Sequence, residues 1–182
     1  MSERVAKLNR STKETKINIE LNIDGNGSYS VVCENQFLKH MLETLARYSN
    51  FDIKMEATGD NDHHLIEDVG ITLGKCFSKA LTEESIERMS TKCVVMDDAM
   101  VITSIDIVDR GYADIDCPDP LYHHFFRSFA NSCGMNLHIV VMRGFDNHHI
   151  VEASFKSLGK CLQEACKMRS SELSTKDKPK VK

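Results

Sequence analysis

An interval of 85 positions recurs along this 182-residue chain and constrains its fold more than any single motif does. The segment Asn61-Asp62-His63-His64-Leu65-Ile66-Glu67-Asp68 returns as Asp146-Asn147-His148-His149-Ile150-Val151-Glu152-Ala153. At the same spacing, Leu73-Gly74-Lys75-Cys76 returns as Leu158-Gly159-Lys160-Cys161. His40, in Phe37-Leu38-Lys39-His40, and His124, in His123-His124-Phe125-Phe126, are 84 positions apart, so one gap separates the copies. Self-similarity at a fixed period marks a repeated supersecondary unit. The chain therefore reads as a tandem duplication of an α+β unit, with two halves packed about a pseudo-twofold axis.

Hydrophobic periodicity fills in each unit. From Thr15 onward, Ile17, Ile19, Leu21 and Ile23 alternate with polar residues, the mark of a half-buried strand. Asp24-Gly25-Asn26-Gly27 reads as a turn closing a hairpin onto Tyr29–Cys33. Phe37, Leu38, Met41, Leu42, Leu45 and Tyr48 recur at helical spacing, and Phe51–Ala57 alternates again. After the turn at Gly59–Asp62, with Asp62 the candidate N-cap, a long helix runs to about Leu81. In the second half, strands are expected at Cys93–Met96, Ala99–Val108, Tyr112–Asp116 and Met135–Met142, and helices at Leu121–Ser132 and His148–Met168. The polar residues 1–13, with Arg4, Lys7, Arg10 and Lys13, read as a loosely attached N-terminal arm. Residues 14–91 and 92–169 then form the two repeats, and 170–182 a C-terminal loop or tail.

The repeated motif carries chemistry. Residues three and four apart share one face of a helix, so Glu67 stands beside His63 and His64, and Glu152 beside His148 and His149. Imidazole and carboxylate are ligands for first-row transition metals. Adding His40 and His124 gives six histidines and two glutamates, enough for two equivalent ions with three histidines and one glutamate each. Four protein ligands leave positions open on a five- or six-coordinate ion, as substrate binding requires. Successive helical residues point about 100° apart, so each adjacent His-His pair is expected to divide between two sites. The glutamates must also outweigh the positive end of the helix dipole near a cation. His123 could stand in for His124 or face solvent, and His138, alternating with Leu137 and Ile139, suits a supporting role.

Composition narrows the function classes. A net charge of −4 argues against a general nucleic-acid binder, although the tail Lys176-Asp177-Lys178-Pro179-Lys180-Val181-Lys182 is locally basic. No apolar run approaches signal-peptide or membrane-span length. Seven dispersed cysteines without a Cys-x-x-Cys pair fit reduced, mostly buried thiols in a cytoplasmic protein.

With both histidine clusters in view, the chain resembles the imidazoleglycerol-phosphate dehydratase family along nearly its whole length. The matching pieces are Arg10–Lys16, Phe37-Leu38-Lys39-His40-Met41-Leu42, Asp62–Gly70, Met96-Asp97-Asp98-Ala99, His124-Phe125-Phe126, Gly134–His138 and His148–Lys156. The resemblance implies two pseudo-symmetric halves, each a four-stranded sheet with two helices, of the ribosomal protein S5 domain 2-like kind. It implies dehydration of D-erythro-imidazole glycerol phosphate to imidazole acetol phosphate, a step of histidine biosynthesis. It also implies two manganese ions per chain, other divalent transition metals being chemically admissible, and a homo-oligomer of 24 subunits with sites at subunit interfaces. By motif match Glu14 is the proton-handling glutamate, acting beside Glu67 and Glu152, while Arg88, Arg110, Ser174 and Lys176 hold the phosphate. The chain departs from the family at Val32–Gln36, at Lys39 for aspartate, at Thr44 for a substrate-contacting glutamine, in a shorter turn before His63, at Val108-Asp109-Arg110-Gly111, and at Asp177 for glycine.

Two other readings compete. One is a metal-binding cage of the same fold without catalysis, or with altered catalysis. The other is a zinc hydrolase, but His-His-x-x-Glu is not the metalloprotease arrangement His-Glu-x-x-His, and nothing supplies its general base.

Overall fold

The computed structural model describes residues 4–81 and 85–170. The first half runs β1 (Val5–Ser11), β2 (Thr15–Asn22), β3 (Tyr29–Cys33), α1 (Gln36–Ser49), β4 (Asp52–Gly59) and α2 (Asp62–Ala80). The second runs β5 (Met89–Met96), β6 (Ala99–Ile107), β7 (Tyr112–Ile115), α3 (Pro120–Cys133), β8 (Met135–Arg143) and α4 (Asn147–Ala165). Each half builds a four-stranded mixed sheet, in the order β1-β2-β4-β3 and β5-β6-β8-β7. The duplication is thus complete down to strand order.

Three expectations are corrected. From Val5 on, the polar stretch before Thr15 is not a loose arm: β1 pairs antiparallel with β2 from Val5↔Asn22 to Ser11↔Lys16. Its inward row is Ala6, Leu8 and Arg10, and a small residue and a cation there mask the alternation. The turn after β2 does not close a hairpin. β3 instead pairs parallel with β4, and β2 lies between β1 and β4. Parallel neighbours need a crossover, which α1 supplies as α3 does for β7 and β8. The cap of α2 is also one residue earlier than expected. Asn61, in extended conformation, accepts the His64 N–H, and Asp62 falls in the first turn. Asp146 caps α4 in the same way through the His148 N–H.

The helices pair across the seam between halves, α1 with α4 and α2 with α3. Phe77, Phe125, Phe126, Phe129 and Phe155 fill the interior with less than 2% of each exposed. The repeated Leu-Gly-Lys-Cys segment acquires a physical role here. A Cβ on Gly74 would lie 2.6 Å from the Phe129 carbonyl oxygen, and one on Gly159 would lie 2.8 Å from Tyr48 Cβ. Both glycines let one helix cross another closer than a methyl group permits. Among the described residues no helix is long and apolar enough to cross a membrane.

Gly74→Ala puts that methyl against backbone, which cannot rotate away. The substitution is expected to destabilise the chain by about 1–3 kcal/mol, as overpacking does. A lower denaturation midpoint with an unchanged slope would show it, and an unchanged midpoint would contradict the close crossing.

Candidate metal centre

The caps place both histidine pairs in the first turns of α2 and α4, where the helical step drives the two rings of each pair apart. His63 and His64 stand with ring planes at 84°, and His148 and His149 at 88°. His63 turns toward α3, its ring centroid 5.3 Å from that of His124 and its Nε2 3.7 Å from Glu67 Oε2. His148 turns toward α1. There Glu152 Oε2 lies 3.7 Å from His148 Nε2 and 3.6 Å from His40 Nε2. Two trios result, His63/Glu67/His124 and His148/Glu152/His40, each joining a helix of one half to a helix of the other.

The second histidine of each pair leaves its trio. His64 Nδ1 sits 2.8 Å from Asp60 Oδ1 and 3.9 Å from Glu14 Oε2. His149 Nδ1 sits 2.5 Å from Asp98 Oδ1, with Asp97 3.4 Å from its Nε2. A carboxylate at Nδ1 fixes the ring orientation and leaves Nε2 as the nitrogen that could bind a metal, with Asp97 beside that of His149. Asp98 also accepts the N–H groups of Phe145 and Asp146, tying the β5–β6 turn to the start of α4.

The trios differ electrostatically. Burial tends to raise the Glu152 carboxyl. The Lys156 hydrogen bond and ammonium, with the imidazoles of His40 and His148, more than offset this and hold it below the usual carboxylate range. Lys156 Nζ lies 2.8 Å from Glu152 Oε1. The matching position in α2 is Ile71, and the Glu67 side chain is 38% exposed against 9% for Glu152. Phe37 stacks on His148 with centroids 4.5 Å apart.

In donor type the trios fit a divalent transition metal. Two donors at right angles about 2.1 Å from one ion lie about 3 Å apart, so gaps of 3.6–3.7 Å are slightly open versions of that arrangement. Neither trio is closed: among the described residues, no group of three or more His, Cys, Asp or Glu is gathered tightly enough to hold an ion. The fourth donor implied by the sequence, His64 or His149, points elsewhere in this chain.

The remaining site residues are dispersed. Glu14 sits on the β1–β2 turn beside His64, its side chain 55% exposed. Arg88 adopts φ 68°, donates its N–H to the Ala165 carbonyl, and pairs through Nε with Asp106 Oδ1 at 2.6 Å. Ala165 ends α4, about 25 Å along the helix from His148 at 1.5 Å per residue. The Arg110 N–H donates to Gly134, which caps α3, about 15 Å along that helix from His124. Arg88 and the Arg110 loop share one corner, since the Arg88 carbonyl accepts the Ile107 N–H. Among the described residues neither arginine forms an ion pair with a member of either trio, and Arg88 is paired with Asp106. Ser174 and Lys176 lie outside the described residues. His138 faces outward beside Asp114 and Tyr112, and Thr44 is buried in α1. Sequence reasoning missed Asp60, Asp98 and Lys156 as partners of the centre. Lys156 was findable, four residues after Glu152 on one helical face. Asp98 reaches α4 only through the tertiary fold.

Fold and site together define a duplicated α+β protein with two equivalent His/Glu donor sets at the seam of its halves. The chain belongs to the imidazoleglycerol-phosphate dehydratase family, whose members are hydro-lyases of histidine biosynthesis. The family model matches residues 33–162. The imidazoleglycerol-phosphate dehydratase of Caldanaerobacter subterraneus is 45% identical over 179 residues, covering 91% of this chain and 92% of that one. That of Dictyoglomus thermophilum is 42% identical, covering 96% and 98%. A crystal structure of IGPD from Pyrococcus furiosus in complex with (S)-C348 superposes with a TM-score of 0.83 at 36% identity, covering 92% of this chain and 98% of that one.

The Asp98–His149 contact sets a pH response in the metal-free protein. Its hydrogen bond to Asp98 raises His149 above its ordinary 6.5, and that bond together with the two backbone N–H groups holds Asp98 well below 3.8. A raised histidine contributes stability that is full below pH 6.5 and is lost as pH rises through its folded pKa. A depressed carboxylate contributes stability present above pH 3.8 and lost as pH falls. The contact therefore supports the fold most between those limits. In an NMR titration of metal-free protein, His149 is expected to titrate above 6.5 and Asp98→Asn to return it toward that value. An unchanged His149 in the variant would refute the assignment.

Proposed function

We propose that this chain dehydrates D-erythro-imidazole glycerol phosphate to imidazole acetol phosphate in the cytoplasm, using two divalent transition ions per chain, manganese first among them. The observation that carries the reading is the pair of seam-spanning trios with a fourth imidazole turned out of each. His63, Glu67 and His124 would hold one ion, and His148, Glu152 and His40 the other. His64 and His149 would complete sites on neighbouring copies, in an assembly of 24 subunits. A bound divalent ion supplies Lewis-acid stabilisation of negative charge on the imidazole-bearing substrate.

The chain's own residues do the rest. Glu14 takes the carbon-bound proton, and among the described residues the only basic side chain within 4 Å of its carboxylate is His64. Its exposure leaves that carboxylate open to a substrate. Asp60 and Asp98 hold Nδ1 of His64 and His149, which fixes each ring and leaves Nε2 as the nitrogen to meet a metal; Asp97 flanks that of His149. Arg88 and Arg110 serve the phosphate, and the roughly 25 Å along α4 between Arg88 and His148 supports a substrate bound at another copy. A guanidinium presents paired donors that match phosphate oxygens. Ser174 and Lys176 complete that contact.

Purified protein loaded with manganese is expected to form the acetol product. Glu14→Gln should lower kcat by about 100- to 10,000-fold, the worth of a positioned proton-transfer group, with metal content unchanged. His64→Ala should lower bound metal and give a smaller species on size-exclusion chromatography. No product from the loaded protein would refute the reaction. A His64→Ala variant with full metal and wild-type size would refute the shared sites.

A further inference from the structure

Among the described residues two carboxylates are buried, Glu152 and Asp68. The His40/His148 trio and Lys156 account for Glu152. Asp68, 7% exposed, belongs to neither trio although it follows Glu67 directly. Its Oδ1 accepts from Arg10 Nη2 at 2.7 Å and its Oδ2 from Thr15 Oγ1 at 2.5 Å. A buried charge is tolerated only when paired and hydrogen-bonded, and here both oxygens are engaged. The two donors bracket the β1–β2 turn that carries Glu14.

The turn itself is stitched to its neighbours. Thr12 Oγ1 accepts the N–H groups of Glu14 at 3.1 Å and Thr15 at 3.0 Å. The Asp60 N–H donates to the Glu14 carbonyl at 3.0 Å. His64 and Asp68, four residues apart, share one face of α2, so the turn meets that face at two levels. The backbone of Glu14 is held while its carboxylate stays half exposed.

The duplication provides an internal comparison. The position matching Asp68 in α4 is Ala153. The last paired residues before the two turns are Ser11 and Met96, so Arg10 corresponds to Val95. The second half has no such clamp. Its turn is anchored by the turn's own acid, Asp98, through His149 and two backbone N–H groups. The first half anchors its turn with an acid from the helix, and the acid on the turn remains free to act.

We propose that Asp68 is a positioning residue. It locks the β1–β2 turn to α2 through Arg10 and Thr15, and so sets where the Glu14 carboxylate meets the substrate; this rests on Glu14 handling the proton. Misplacing a reacting group by about 1 Å can cost 100-fold in rate. Asp68→Asn keeps the shape but presents an NH2 group to one of two donors. In the manganese-loaded full chain it is expected to lower kcat roughly 10- to 100-fold, with KM within about twofold and metal content unchanged. In a Glu14→Gln background, the same substitution should cause no further loss, because Asp68 acts only through Glu14. A merely structural role would give the same fractional loss in both backgrounds, which would overturn the proposal. Should Asp68→Asn fold poorly, Thr15→Val removes one donor and Thr15→Ser keeps it. The valine variant should lose rate and the serine variant hold it, and equal rates would overturn the clamp. If Glu14→Gln keeps the wild-type rate, the reading of Glu14 falls and the clamp with it. If Glu14→Gln is impaired and Asp68→Asn is not, the clamp alone falls.

Discussion

The centre depends on how closely two pairs of helices cross. α2 meets α3 at Gly74, against the Phe129 carbonyl, and α4 meets α1 at Gly159, against Tyr48. Each crossing joins one half to the other, and each trio takes its third member from the far side. His124 reaches His63 only because α3 lies against α2, and His40 reaches Glu152 only because α1 lies against α4. A side-chain methyl at either glycine would push a helix axis outward, and the imidazoles would follow. The phenylalanine cluster behind the crossings makes that position rigid, since close-packed interiors leave little room to relax.

Duplication gave two copies of one device, and the copies have diverged where their tasks differ. Glu152 is buried and gripped by Lys156, whereas Glu67 is more exposed with Ile71 at the matching place. Asp98 is consumed by hydrogen bonds to α4, whereas Glu14 keeps its carboxylate free over a turn tied down by Asp68. The same hairpin therefore serves as a strut in one half and as a mount for an open carboxylate in the other.

Much of this was legible from residue order, and the failures have physical causes. The repeat, the helices and the divergence within each histidine pair follow from periods of 85 and 3.6 residues, which are local properties. The strand partner of β3 is not local. Asp24–Gly27 carries turn residues that suit a hairpin, yet the helical stretch after Cys33 provides the crossover for parallel pairing with β4. β1 escaped because Arg10 occupies an inward position that reads as polar until its partner Asp68 is known. That partner is 58 residues away, and no periodicity connects them. Asp98 and His149 pose the same difficulty at 51 residues.

The arginines carry the argument beyond one chain. Arg88 sits against the C-terminal end of α4, and the trio built on that helix sits at its N-terminal end. A substrate with an imidazole and a phosphate joined by three carbons spans far less than the roughly 25 Å between them. Arg88 is also held by Asp106, in a left-handed conformation that a non-glycine residue adopts only when its surroundings enforce it. The enforcing contacts are backbone bonds to Ala165 and Ile107, so the guanidinium is presented from a fixed mount. Under the proposed reaction, that mount and the imidazoles of His64 and His149, held away from their own trios, face the same requirement. The proposed shared sites would meet it by bringing the complementary half from another copy, and assembly would then be a condition of catalysis.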